Sequence, residues 1–269
     1  MKKLFVVALL MLLLMPVLAT AQNPFDGTWK FDKFDRSTSQ VPTKPDVYLL
    51  ESGVYECKTC VPPFNVKADG TDQKVTEDPY SDTLIVKVID DHNVESTSKK
   101  GGKIVETEKT SGSSDGKTLT VNWTIISGEL RGGPPGPQTG TYTERRVGKV
   151  PASGNLVSGS WHLEKTDASA AHVTWTFKVN GDELNMTNLS GQSYTAKLDG
   201  TEAPFKGDPG VTSVSVKMHG KDTMEETRKR DGKIIFIFTN TVSADGKTLK
   251  IVVEDKLQGT TAKGEAQKQ

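Results

Sequence analysis

Residues 65–121 align without a gap on residues 195–251 at an offset of 130, with 20 identities in 57 positions. A match of that length is a duplication, and it limits the chain to folds that can be built twice in succession. The matching blocks include Lys67-Ala68-Asp69-Gly70-Thr71 with Lys197-Leu198-Asp199-Gly200-Thr201, and Asp78-Pro79 with Asp208-Pro209. Gly102-Lys103-Ile104 answers Gly232-Lys233-Ile234, and Asp115-Gly116-Lys117-Thr118-Leu119 answers Asp245-Gly246-Lys247-Thr248-Leu249. Upstream, Gly27-Thr28-Trp29 matches Gly159-Ser160-Trp161 at offset 132. The division expected from this pattern is a leader at 1–21, a first repeat at 22–148, a turn-rich joint at 149–155 and a second repeat at 156–269. The extra length of the first repeat lies in Arg131-Gly132-Gly133-Pro134-Pro135-Gly136-Pro137, read as a surface loop between its last two strands.

The leader has Lys2-Lys3, an apolar run from Leu4 to Leu18, and Ala19-Thr20-Ala21 as a small-residue cleavage site, the pattern of a secretory signal. Removing it takes away two of the 34 basic groups, so the mature chain has 32 basic against 34 acidic groups, a charge near −2. That balance argues against nucleic acid as a partner, which calls for a clustered positive field. No later apolar run approaches the ~18 residues needed to cross a bilayer. No cysteine follows the signal's small residues, so the expectation is a secreted or periplasmic protein without a lipid anchor.

Each repeat alternates short strand patterns with tight turns. Thr occurs 31 times, Val 25 times, and Gly with Pro 25 + 13 = 38 times, a composition of pleated strands and turns. No mature segment sustains an apolar stripe at helical spacing. Val173, Trp175, Phe177 and Val179 alternate with polar residues, and Asn180-Gly181 then reads as a type I′ hairpin turn. Ser52-Gly53 stands at the equivalent place between Val47–Leu50 and Val54–Cys57. Further strands are expected near 192–198, 211–218, 222–229, 233–242 and 247–255. The fold class expected is all-β, two tandem antiparallel up-and-down meander barrels with little or no helix, since closure removes raw sheet edges.

Gly-x-Trp on a first strand followed by a long meander resembles the lipocalin-like, or calycin, barrels. The blocks Tyr194-Thr195-Ala196-Lys197-Leu198-Asp199-Gly200, Gly207-Asp208-Pro209, Arg230-Asp231-Gly232-Lys233 and Ser243-Ala244-Asp245-Gly246-Lys247-Thr248-Leu249 look like those of secreted bacterial proteins with one or two lipocalin-like domains. The resemblance implies a fold that often holds a small hydrophobic ligand, without implying an established activity. It also implies that Trp29 and Trp161 close the barrel floors, and that Arg145 or Arg146 lies over one of those rings. The second repeat ends without an arginine to play that part.

Cys57-Lys58-Thr59-Cys60 is the one compact chemical motif, and in an exported protein it reads as a disulfide staple. The redox alternative lacks a helix N-terminus to stabilise a thiolate, and a metal or cofactor attachment is the third reading. Haem attachment would need His after the second cysteine, where Val61 stands. His92, His162, His172 and His219 are too far apart for a zinc site, and no metal or cofactor is expected. Asp90-Asp91-His92 reads as a turn. Asn122-Trp123-Thr124 and Asn185-Met186-Thr187 have the form of glycosylation sequons and carry little weight beside a bacterial-type signal. No nucleophile elbow, phosphate loop or dinucleotide fingerprint is present, so an enzyme is not expected.

If a barrel holds a ligand, Trp29, Trp123, Trp161, Trp175, Phe177 and Tyr194 are the lining residues expected; they serve equally well as core. Glu106 and Glu108 of the first repeat become Phe236 and Phe238 in the second. An apolar pair added to an already apolar strand needs a cover: either it lines the second barrel's interior or it forms an interface, between domains or with a partner, through the 233–239 strand, and the interface is the reading favoured. Two functions are therefore expected: binding of a small apolar or amphipathic ligand, or an interaction module with filled barrels.

Overall fold

The computed structural model describes residues 23–35, 44–126, 136–151, 154–168 and 174–269. The leader, the 131–135 part of the Gly-Pro loop, His172 and Val173 lie outside the described residues. The described chain is all-β. Twenty antiparallel strands form two ten-stranded barrel-like sheets, and no helix occurs among the described residues.

The sheets divide the chain differently from the repeats. One contains β2 (Asp46–Glu51), β3 (Val54–Cys57), β4 (Phe64–Lys67), β5 (Gln73–Lys74), β6 (Thr83–Val88), β7 (Asn93–Lys100), β8 (Lys103–Gly112), β9 (Thr118–Ile125), β10 (Gln138–Val147) and β11 (Gly159–Ala168). The other contains β1 (Gly27–Asp35) together with β12 (Thr174–Asn180), β13 (Glu183–Asn188), β14 (Ser193–Lys197), β15 (Asp199–Pro204), β16 (Ser213–Met218), β17 (Thr223–Arg230), β18 (Lys233–Val242), β19 (Thr248–Asp255) and β20 (Thr260–Lys268). We call them the central and the terminal barrel. β1, the first strand of repeat one, lies between β12 and β20 of repeat two. β11, the first strand of repeat two, lies between β2 and β10 of repeat one. The 149–155 stretch therefore connects two neighbouring strands of one sheet. Both Gly-x-Trp strands keep the same glycine and tryptophan, and each completes the other repeat's sheet in the equivalent position.

Within each sheet the order is a meander, with its seam between β4 and β5 or between β14 and β15. An isolated bridge between Ser193 and Lys206 lies at the terminal seam. The duplication survives in detail: the register shift at Ser98/Lys99 between β7 and β8 recurs at Arg228/Lys229 between β17 and β18. Ser52-Gly53 and Asp231-Gly232 both have positive φ at each residue, the signature of type I′ turns. Asn180-Gly181 departs from the expected I′ turn. Asn180 pairs with Glu183, and only Gly181 of the two-residue loop has positive φ, the signature of type II′. The barrels touch where the Tyr80 hydroxyl donates to Asp208 at 3.1 Å.

The terminal barrel is filled. Phe31, Trp175, Phe177, Leu184, Met186, Tyr194, Val214, Met224, Phe238, Leu249 and Ile251 form one buried cluster. Phe238 packs edge-on to Trp175 at 5.8 Å, and Phe236 lies against the same cluster. The interface reading of Phe236 and Phe238 is thus corrected: the pair faces inward, where core packing supplies the cover that an outward pair would have lacked. The central core is smaller, with Val66, Leu84, Val86, Val94, Leu119, Val121, Val157 and Trp161 buried, and Tyr48, Tyr55, Phe64 and Tyr142 half-buried above them.

Candidate functional site

The floors of both barrels explain Gly-x-Trp. Trp161 is fully buried, and its indole N–H donates to the Val157 carbonyl at 3.0 Å. Trp29 is equally buried and donates to the Phe25 carbonyl at 2.8 Å. The Arg146 guanidinium lies 4.0 Å from the centre of the Trp161 ring. It donates to the carbonyls of Ser158 at 2.7 Å and Leu156 at 2.6 Å, and to that of Gly116. In the terminal barrel Lys268 takes the place of the missing arginine, with its ammonium 5.0 Å from the Trp29 ring. A Cβ on Gly159 would fall 2.1 Å from Arg146 Nη1, and one on Gly27 would fall 2.6 Å from Lys268 Cε. The glycine of the motif is the space through which the cation reaches the ring.

Above the central floor the two barrels diverge. Register equates Glu144 on β10 with Ala266 on β20, because each is opposite the equivalent leucine, Leu119 or Leu249. In the same way Asp46 on β2 stands where Trp175 stands on β12, each opposite a floor tryptophan. Glu108 stands where Phe238 does. The central barrel thus places carboxylates where the terminal barrel places core residues.

Glu144 is only 1% exposed, and its Oε2 has no hydrogen-bond partner. Burial, then the charge of Asp46 and a hydrogen bond with it, then the charge of Glu108, push the Glu144 carboxyl up to about 8. Three half-buried tyrosines, Tyr48, Tyr55 and Tyr142, share this space. Burial raises all three phenols, and the Glu144 charge adds to the shift in each. The Tyr48 and Tyr55 rings lie stacked at 6.4 Å, and Tyr55 is 6.2 Å from Phe64. Glu108 accepts from Ser96 at 3.2 Å.

Cys57 and Cys60 form a disulfide at the end of β3. Its loop reaches the site through Thr59, whose hydroxyl accepts from the Val47 N–H at 3.0 Å and donates to Asp46 at 3.3 Å. The staple, present in one repeat only, fixes a carboxylate that is also present in one repeat only.

The terminal interior carries charge as well, but there it is satisfied. Glu226 is fully buried, pairs with Arg228 Nε at 2.6 Å and accepts from the Tyr194 hydroxyl at 2.8 Å. Arg228 in turn lies 4.4 Å from the Phe238 ring and 4.9 Å from Phe205. The corresponding central residues are Ser96 and Ser98.

Of the six aromatic residues expected to line a ligand site, Trp29, Trp175, Phe177 and Tyr194 are core of the terminal barrel, and Trp161 is the floor of the central one. Trp123 alone is half-buried. It is opposite Glu108, crosses Gly140 where a Cβ would be 2.3 Å from its ring, and borders an open hollow of about 400 Å³ with Thr139, Thr141 and Asp167. Asp46, Tyr48, Tyr55, Tyr142 and Glu144 were not visible as a site in the sequence. Comparing Glu144 with Ala266 would have found the last of them, but the unequal β9–β10 and β19–β20 links hide that equivalence.

The remaining sequence candidates stay apart. Asp90-Asp91-His92 is a turn in which Asp90 accepts the His92 and Asn93 N–H groups, each at 2.8 Å. Among the described residues no three His, Cys, Asp or Glu side chains converge on a metal-sized site. No protein-family model matches the chain, and no curated protein matches it.

Proposed function

We propose that the protein is an exported, lipocalin-like binding protein without bond-making chemistry, and that its central barrel holds a small amphipathic molecule. The observation that carries this is the buried Glu144 carboxyl with an unpartnered oxygen, set among three half-buried tyrosines. A buried carboxyl oxygen left without a partner costs desolvation free energy that a bound polar group would offset. Aromatic walls with a few convergent polar groups are the usual make-up of a small-molecule site. The signal-like leader supports export. The filled interior of the terminal barrel favours the second expectation for that half, a structural or interaction module that supports its neighbour.

Native mass spectrometry of the protein purified from its natural source tests the binding role. A retained small molecule, lost in the Glu144→Leu variant, is expected. A clean unliganded mass at high purity, with no saturable binder among amphipathic probes, overturns it.

A further inference from the structure

Resting on that reading, we infer that the central barrel selects an organic cation, a protonated amine or quaternary ammonium group, seated between Glu144 and the rings of Tyr48, Tyr55 and Tyr142. Four observations on the same interior lead to it.

The first is the unpartnered Glu144 Oε2. The oxygen is fully inside the barrel, so its missing partner has to enter the barrel as well. A neutral apolar ligand would seal that oxygen away from any donor, and an anion would meet the charges of Asp46 and Glu108 beside it.

The second is a substitution of charge between the repeats. The terminal barrel answers its buried carboxylate with the internal cation Arg228. At the equivalent central position the side chain is Ser98, while Asp46 and Glu144 replace Trp175 and Ala266. No ion pair to Asp46 or Glu144 occurs among the described residues. On the same strand, Arg145 pairs with Glu164, and Arg146 is committed to the Trp161 ring and three carbonyls.

The third is the walls. Tyrosine faces attract a cation through the ring quadrupole, most strongly where water is excluded. Tyr48, Tyr55 and Tyr142 are packed against the central core and keep only a minor part of their surface exposed.

The fourth is size. No three ligating groups converge closely enough among the described residues to coordinate a metal ion, so the cation is larger than one.

Binding of such a cation displaces the proton held by Glu144. The groups facing that carboxyl are Asp46 and Tyr48 from β2, Tyr55 from β3, Glu108 from β8 and Tyr142 on its own strand. The carboxylates oppose its ionisation, and an entering cation reverses their effect. Affinity should therefore rise with pH up to about 8, the value to which Glu144 is pushed.

Titration calorimetry on the full mature chain, with three matched pairs of probes, tests the inference. Choline is compared with its uncharged isostere 3,3-dimethylbutan-1-ol, benzyltrimethylammonium with neopentylbenzene, and dodecyltrimethylammonium with dodecanol, each below its aggregation limit; laurate is the anionic control. At least one cation should bind tenfold or more tighter than its neutral partner, release a proton at pH 7, and lose that advantage in a Glu144→Gln variant that still unfolds cooperatively. Equal binding of cation and neutral isostere overturns the inference, as does preference for laurate; either outcome leaves the binding barrel standing. Saturation by none of the seven probes, combined with a clean native mass, overturns the inference and the proposed function together.

Discussion

Arg146 lies over Trp161 at 4.0 Å, and the two residues belong to different sequence repeats. The pairing states the strand exchange in a single contact, because the floor of each barrel is closed by a tryptophan from the other repeat. A fragment spanning residues 44–168 contains every strand of the central barrel, whereas 22–150 lacks β11 and with it Trp161. The 44–168 fragment should fold cooperatively, with protected amides along β10 and β11 in hydrogen exchange. An unfolded 44–168 fragment beside a folded 22–150 fragment would contradict the exchange.

The same floor predicts unequal costs for two matched substitutions. Gly159→Ala drives a methyl into a guanidinium that three hydrogen bonds hold in place, at a φ of +154°. Gly27→Ala is strained too, at a φ of +130°, but its methyl meets the stem of Lys268, which can swing aside. Chemical denaturation should give about 2–4 kcal/mol for the first and at least about 1 kcal/mol less for the second.

Glu144 makes stability depend on pH in an uncommon direction. Its carboxyl ionises near the ordinary 4.5 when unfolded but only at about 8 when folded. Between those values the folded state holds a proton that the unfolded state has released, so stability falls as pH rises, by up to about 1.4 kcal/mol per pH unit. Glu144→Gln should flatten that slope in denaturation series from pH 4.5 to 8. An unchanged slope would mean that Glu144 ionises normally.

Asn240 is a second buried polar side chain without a partner. It is fully buried between Met224 and Ile251, and both its Nδ2 and Oδ1 are unpaired. Replacing it with leucine, close in size, should stabilise the terminal barrel by about 1–3 kcal/mol, seen as a higher Tm. A destabilised variant would place an ordered water or an unseen partner on the amide.

The disulfide should matter more to the site than to the fold. A loop of four residues contributes only about 2 kcal/mol by chain entropy. Cys57→Ser with Cys60→Ser should cost about that much in stability, yet also weaken retention of the ligand proposed for the central barrel, by freeing Thr59 and Asp46. Stability loss with unaltered retention would separate the staple from the site.

The sequence alone was enough for the all-β class, the duplication and most strand positions, since turn chemistry and alternation are local signals. β18 begins and ends where the sequence pattern places it, at 233 and 242. The exchange of β1 and β11 was illegible for the opposite reason. Gly27-Thr28-Trp29 and Gly159-Ser160-Trp161 fit either sheet, so no local pattern distinguishes the pairings. Phe236 and Phe238 were misread because the strand was judged against its own repeat. Its counterpart in the first repeat carries Glu108, which points inward toward Tyr55 and Tyr142. The disulfide was legible; its link to Asp46 through Thr59 joins residues 13 apart in sequence and emerges only with the fold.

The placement of β1 beside both β12 and β20 has a mechanical consequence. Trp29 is opposite Lys268, and Lys30 is opposite Thr174. A pull on the two chain ends is taken first by the ladders of β1, which short-circuit the path through residues 36–173. The central barrel bears no tension until β1 has peeled from both β20 and β12. The terminal barrel therefore acts as a clasp that keeps tension applied beyond β1 and β20 away from the central barrel.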